Sequence, residues 1–218
     1  MMQILYLNKA HYPVTTLGPG RRIGLWLQGC GLGCPGCLSQ DTWAVSTDSA
    51  IPLSLLLAWC QEVAQDGLDG VTISGGEPFA QPEALLALLR ALHDWRNDAG
   101  LHFDILCYSG LPWQRLQRDF APILTLLDAV IPEPFQAQQP TRLIWRGSAN
   151  QPLIPLSPLG REHYAPYLHL EVERRLFQLV VDPDRVWGIG IPGLGDMERL
   201  EQQCAQRGVQ LGGVSWRG

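Results

Sequence analysis

The chain has 218 residues, 46% of them hydrophobic and 17% charged, which suits one domain able to bury roughly 70% of the surface its unfolded form would expose. Its formal net charge is −5 and its basic residues are scattered arginines, with Lys9 the sole lysine, so a nucleic-acid-binding face has no support. No apolar run approaches the ~20 residues of a membrane span, and the first residues lack the basic stretch of a secretory signal, so a cytoplasmic protein with reduced thiols is expected.

Short apolar runs bounded by turn residues predict strands at 3–8 and 22–28. A leucine-rich stretch behind Ser54 predicts a helix capped by that serine and stopped at Gly67. A strand follows at 70–74. Leu85, Leu88, Leu89, Leu92 and Trp95 then recur at helical spacing behind Pro82 and Glu83, predicting a helix over 82–97. Further strands are expected at 102–108 and 128–131, with a helix at 112–118 and a restart at Pro122. This βα alternation implies a parallel sheet with helices packed on it and functional loops at the carboxyl ends of its strands. Residues 134–170 read as a long loop with one helical turn after Gly160. Beyond it, runs at 176–181 and 185–191 flank Asp182-Pro183-Asp184 and predict a β-hairpin. A last helix is expected over 194–206, stopped at Gly208, and an edge strand at 214–216. No repeat or internal boundary divides residues 1–218, so a single domain is expected.

The chemistry concentrates in Gln28-Gly29-Cys30-Gly31-Leu32-Gly33-Cys34-Pro35-Gly36-Cys37. Three cysteines fall at C-x3-C-x2-C, and thiolates suit soft iron–sulfur chemistry. A zinc knuckle would need a fourth ligand from Cys60, Cys107, Cys204 or a histidine, and none stands at knuckle spacing. A disulfide framework does not suit a long chain whose other cysteines are spaced singly. Those three cysteines sit in apolar patterns and read as buried small hydrophobes. The loop supplies three such thiolate ligands, and no fourth cysteine lies nearby.

This loop resembles that of the radical S-adenosylmethionine (SAM) enzymes. The longer run from Gly18-Pro19-Gly20-Arg21-Arg22 to Thr42-Trp43 resembles the activating proteins of anaerobic ribonucleotide reductase. The resemblance implies an open, partial (β/α) barrel in reduced form, completed here by a C-terminal β-hairpin and helix. It implies that Cys30, Cys34 and Cys37 hold a 4Fe-4S cluster whose fourth iron receives SAM. A reduced cluster would then cleave SAM to methionine and a 5′-deoxyadenosyl radical, so no side chain need be the catalyst. Ser74-Gly75-Gly76-Glu77-Pro78, a strand-to-helix turn, matches the family's second motif. There Gly75, Gly76 and Pro78 shape the backbone at the SAM site, and the Glu77 carboxylate helps neutralise the methionyl ammonium. Ser109 corresponds to a position near the SAM ribose.

Two departures stand out. Where the relatives read Asp-Val-Leu-Val-Asp-Gly-Pro-Phe, this chain has Pro132-Glu133, with Glu133 one position from the lost aspartate. Leu38 replaces the tyrosine that commonly follows the third cysteine. The run Trp145-Arg146-Gly147-Ser148-Ala149-Asn150-Gln151 is again similar to the reductase activators. The resemblance implies a glycyl-radical enzyme as partner, with Arg21 or Arg22 available to bind it, and an electron donor such as flavodoxin or ferredoxin. Trp26, Leu38 and residues 134–151 are expected at the substrate entrance. Two other functions remain open. One is radical SAM modification of a small molecule or peptide, for example a deazapurine precursor; the other is a passive electron-transfer module, which would have no use for Gly75-Gly76-Glu77-Pro78.

Overall fold

A computed structural model describes residues 3–182, 186–193 and 195–212. Its centre is a seven-stranded open sheet built from β1 (Ile4–Val14), β2 (Arg22–Leu27), β3 (Ala50–Pro52), β4 (Gly70–Gly75), β5 (Asp104–Tyr108), β6 (Ala129–Ile131) and β7 (Ile154–Pro155). The spatial order is β3-β1-β2-β4-β5-β6-β7. Only β2, β4, β5 and β6 run parallel; β1, β3 and β7 pair antiparallel at the two sides. The two edge strands do not meet, so the barrel is partial. Register aligns Leu27 with Gly75, Ile73 with Cys107 and Tyr108 with Ile131. The cysteine loop, the Gly-Gly-Glu-Pro turn and the turn after Tyr108 therefore leave the sheet at one end.

Alternation along the strands sorts side chains to two faces. Ile23, Leu25 and Leu27, with Val71, Ile73, Ile105 and Cys107, join the main core under α1 (Leu53–Val63), α2 (Pro82–Asp98), α3 (Trp113–Asp119) and α4 (Ala121–Leu124). The expected leucine stripe of α2 and Trp95 are all buried there, with Pro82 in the first turn. The helix start at Ser54 needs correction. Pro52 occupies the cap position with no side-chain bond, and Ser54 lies inside α1.

The other face carries Trp26, Thr72, Leu106 and Tyr108, and it is covered by C-terminal segments. Here residues 134–170 are more ordered than a loop. They contain β7 and α5 (Pro158–Tyr164), which starts before Gly160 because the Ser157 hydroxyl accepts from Gly160 N–H at 2.9 Å. Beyond lie β8 (Phe177–Val181) and β9 (Val186–Gly190), paired antiparallel as the expected hairpin, and α6 (Asp196–Gln206). The hairpin turn at 183–185 and the expected strand at 214–216 lie outside the described residues.

A buried ion pair plugs the amino end of this inner face. The Arg22 guanidinium grips Asp104 with Nη2 to Oδ1 at 2.6 Å and Nη1 to Oδ2 at 3.1 Å, and Nε donates to Thr72 Oγ1 at 2.7 Å. Both residues are fully buried. Burial works to raise the Asp104 carboxyl, but Arg22, Tyr164 and His163 hold it below its usual value. Gly70 leaves the room, since a Cβ there would stand 2.1 Å from Arg22 Nη1.

Candidate iron–sulfur and SAM site

The cysteine loop is shaped by backbone bonds before any metal is considered. Gly29 N–H donates to Thr42 O at 2.7 Å and Cys30 N–H to Trp43 O at 3.0 Å. The Gln28 amide donates to Asp41 O and Ala44 O, at 3.2 and 2.6 Å. Within the loop, Cys37 N–H donates to Cys34 O at 3.1 Å. All three cysteines are free thiols, partly exposed, and line one cavity. Burial pushes the Cys30 and Cys37 thiols up, and the neighbouring thiols add to it. Among the described residues no three His, Cys, Asp or Glu side chains converge on a single ion. A cubane takes each thiolate to a different iron, and three thiols from one loop on one cavity wall fit such a cluster.

The Gly-Gly-Glu-Pro turn is stitched to this loop. Gly76 N–H donates to Leu27 O at 2.8 Å and Glu77 N–H to Gly29 O at 2.9 Å. Gly75 has φ 109°, and a Cβ on Gly76 would stand 2.3 Å from Gly29 O. The two glycines thus let two backbones touch, while also forming cavity wall. Pro78 is buried and opens the short 3-10 turn Pro78–Ala80.

Glu77 is 4% exposed and stands behind the wall. Its Oε1 accepts from Phe79 N–H at 3.0 Å and from the Ser109 hydroxyl at 2.9 Å; Oε2 accepts from Gly110 N–H at 2.7 Å. Burial raises this carboxyl despite those donors. The Ser109 oxygen also accepts from Leu111 N–H at 3.0 Å. Both groups expected to meet SAM are therefore engaged with the protein, tying the turn after β4 to the turn after β5.

The cavity measures about 770 Å³, within the range of small-molecule sites. Trp26, Leu38, Phe135 and Gln151, all from stretches expected at the entrance, line the cavity. Glu133, at φ 83°, turns its carboxylate to Trp113 N–H at 2.9 Å and starts α3. The Trp145–Gln151 run is a scaffold: Gln151 Oε1 accepts from Gly147 and Ser148 N–H groups, and its amide donates to Glu133 O.

Arg21 and Arg22 do not reach this end. Arg22 is the buried plug, and Arg21 donates to Asp66 O and stacks on Tyr12 beside the amino end of β4. Burial in the ion pair with Asp104 takes Arg22 out of the expected partner contact, while Arg21 stays exposed beside the amino end of β4. Sequence reasoning also passed over Lys9. Its ammonium lies 2.6 Å from Asp41 Oδ2 and 5.4 Å from the Trp187 ring centre, on the cavity wall. Being the sole lysine was the available signal.

A partial barrel with three thiols on the loop after its first parallel strand, bonded to a Gly-Gly-Glu-Pro turn, defines a radical SAM enzyme, whose cofactors are a 4Fe-4S cluster and SAM. A model of the 4Fe-4S single cluster domain matches residues 16–154, and the chain belongs to that family. Among similar proteins, those of Haemophilus influenzae, Escherichia coli K12 and phage T4 are each named anaerobic ribonucleoside-triphosphate reductase-activating protein. They are 30%, 28% and 25% identical over 151, 145 and 136 residues. The matches cover 65%, 65% and 62% of this chain and 92%, 93% and 85% of the relatives. The crystal structure of QueE from Escherichia coli overlaps 49% of this chain and 52% of its own at 23% identity, with a TM-score of 0.41. Among the described residues, no helix is long and apolar enough to cross a membrane.

Proposed function

We propose that this chain activates a glycyl-radical enzyme, an anaerobic ribonucleoside-triphosphate reductase, by removing a hydrogen atom from one of its backbone glycines. The observation that carries this reading is the bonding of the Gly75-Gly76 turn onto the cysteine loop at Leu27 and Gly29, in a chain whose relatives bear the activator's name. Cys30, Cys34 and Cys37 hold the cluster. Reduced and in place, the cluster would supply the electron that cleaves SAM, and with it the radical chemistry that takes the hydrogen. The protein binds, orients and excludes water, as is usual where a cofactor does the hard step. Gly75 and Gly76 bring backbone to the SAM amino acid, and Pro78 and Glu77 hold that turn in place. Ser109 fixes the facing turn through Glu77. The electron comes from a protein donor of the flavodoxin or ferredoxin kind, and the reaction runs in the cytoplasm, away from membrane and nucleic acid.

Reduced, reconstituted protein, SAM and the reductase of the same organism are incubated without oxygen. A glycyl-radical doublet in the electron paramagnetic resonance spectrum is the expected result. SAM cleavage without a doublet, but coupled to a small-molecule substrate, transfers the assignment to small-molecule modification. Absence of SAM cleavage with an intact cluster leaves an electron-transfer module.

A further inference from the structure

The cavity has two halves of different origin and chemistry. Its inner half, with the three cysteines, Gly75, Gly76 and Ser109, comes from the region matched by the family model, which ends at residue 154. Its outer half comes from the β8–β9 ribbon, α6 and the residues after it. The ribbon is held by its back face. Trp187 packs edge-on against Trp26 and His11, Ile189 is 1% exposed, and Gln178 donates to Pro13 O at 2.8 Å.

The ribbon's front face is apolar and smooth. Register places Leu179 opposite Gly188 and Phe177 opposite Gly190. A Cβ on Gly188 would meet the Phe177 ring at 2.0 Å, so that ring lies flat across the glycine. Met197 and Leu200 of α6 face the same space, methionine being a side chain that adapts to varied apolar contacts. At the mouth, Leu32, Leu179, Val186 and Val209 stay 38–51% exposed while lining the cavity. An apolar surface that runs outward from a cavity needs a ligand larger than the cavity to cover it. Charge narrows the choice further. Among the described lining residues Lys9 is the sole cation, and it is paired with Asp41. Asp182, in the outer half, accepts from the Trp187 indole N–H at 3.1 Å. Within this cavity an anionic small molecule would meet, among the described residues, no cation outside that ion pair; Arg142, Arg174, Arg175 and Arg199 line a second groove that Phe177, Leu179, Met197 and Leu200 also border.

We infer that the β8–β9 ribbon and α6 form the seat for the reacting segment of the partner polypeptide, an extended stretch with apolar side chains flanking its glycine. This rests on the function proposed above and assigns substrate choice to residues beyond the matched region. Phe177, Leu179, Met197 and Leu200 form its wall, and Leu32 of the cysteine loop lines the same cavity.

The test measures glycyl-radical formation against partner concentration for wild type, Leu179→Asp and Val186→Asp, with Val45→Asp as control. Leu179 and Val186 are half exposed, so the changes do not threaten the fold; Val45 is 84% exposed and does not line the cavity. The expected result is a KM for the partner raised about tenfold or more in the two ribbon variants. The kcat at saturating partner and the iron content should match wild type, and the control should be unaffected. Radical formation with an unchanged KM overturns this inference and leaves the activase reading standing. SAM cleavage by wild type with no radical on the partner overturns both, since the occupant is then not that polypeptide.

Discussion

Replacing Glu77 by Gln separates two roles for this side chain. The carboxylate takes donors on both oxygens, from Phe79 N–H and the Ser109 hydroxyl on one and Gly110 N–H on the other. An amide has one oxygen, so in either orientation its NH₂ group faces a backbone N–H. One charge-assisted bond, worth about 1.5–3 kcal/mol, is lost, and a buried donor is stranded at about 1–3 kcal/mol. Relief of the desolvation that pushes the carboxyl up offsets part of this, leaving a net loss of about 2 kcal/mol or somewhat more. For a chain of this size that lowers Tm by roughly 4–8 °C. Because the two turns so joined both line the cavity, SAM affinity should also weaken by about tenfold, while iron content holds. Thermal unfolding and SAM titration of the anaerobic protein measure the two effects. If Tm stays at the wild-type value and only SAM affinity falls, Glu77 acts by direct contact with the ammonium and the tie between turns is the wrong account.

Alanine at any one of Cys30, Cys34 or Cys37 should abolish the cluster's visible absorbance and SAM cleavage, whereas alanine at Cys60, Cys107 or Cys204 should leave iron content unchanged; a full cluster in Cys34→Ala would defeat the assignment. Gly76→Ala should push the turn off Gly29, against which its Cβ would stand at 2.3 Å, and cost about 1–3 kcal/mol together with most SAM cleavage, read by unfolding and product analysis. Asp104→Asn leaves Arg22 buried beside a neutral group and should cost about 3–5 kcal/mol in denaturant unfolding. In the parent protein the Asp104 carboxyl is depressed on folding, so its contribution is present above its unfolded value of 3.8. That contribution should be lost as pH falls through the lower folded value, and acid unfolding followed by circular dichroism checks it.

The parts legible in the sequence were those set by neighbours along the chain. Leu85 to Trp95 repeat at helical spacing behind Pro82, and α2 follows almost to the residue. The hairpin was legible for the same reason, as two apolar runs around a turn. Missed features depend on partners far away. Arg22 reads as a free surface cation until Asp104, 82 residues on, arrives beside it. The two-residue β7 ends in a proline and exists only because Asp128, Ala129 and Val130 offer it a place. The helix α5 did carry a local signal, Ser157 before Pro158, but Gly160 inside its first turn masked it. At the site, the cysteines and the Gly-Gly-Glu-Pro turn were readable as chemistry. That Glu77 faces Ser109 and Gly110, and that Trp187 lays the ribbon over the cavity, are facts of packing with no trace in spacing.

The solitary lysine gives the cavity a built-in reporter. An amine-selective acylating reagent has one side chain to modify in this sequence, Lys9, which is 13% exposed and tied to Asp41 beneath Trp187. Its labelling rate therefore measures how open the mouth stands, without mutation or an added probe. Mass spectrometry of one peptide, with SAM alone and then with partner, would read the filling of each half of the cavity in turn.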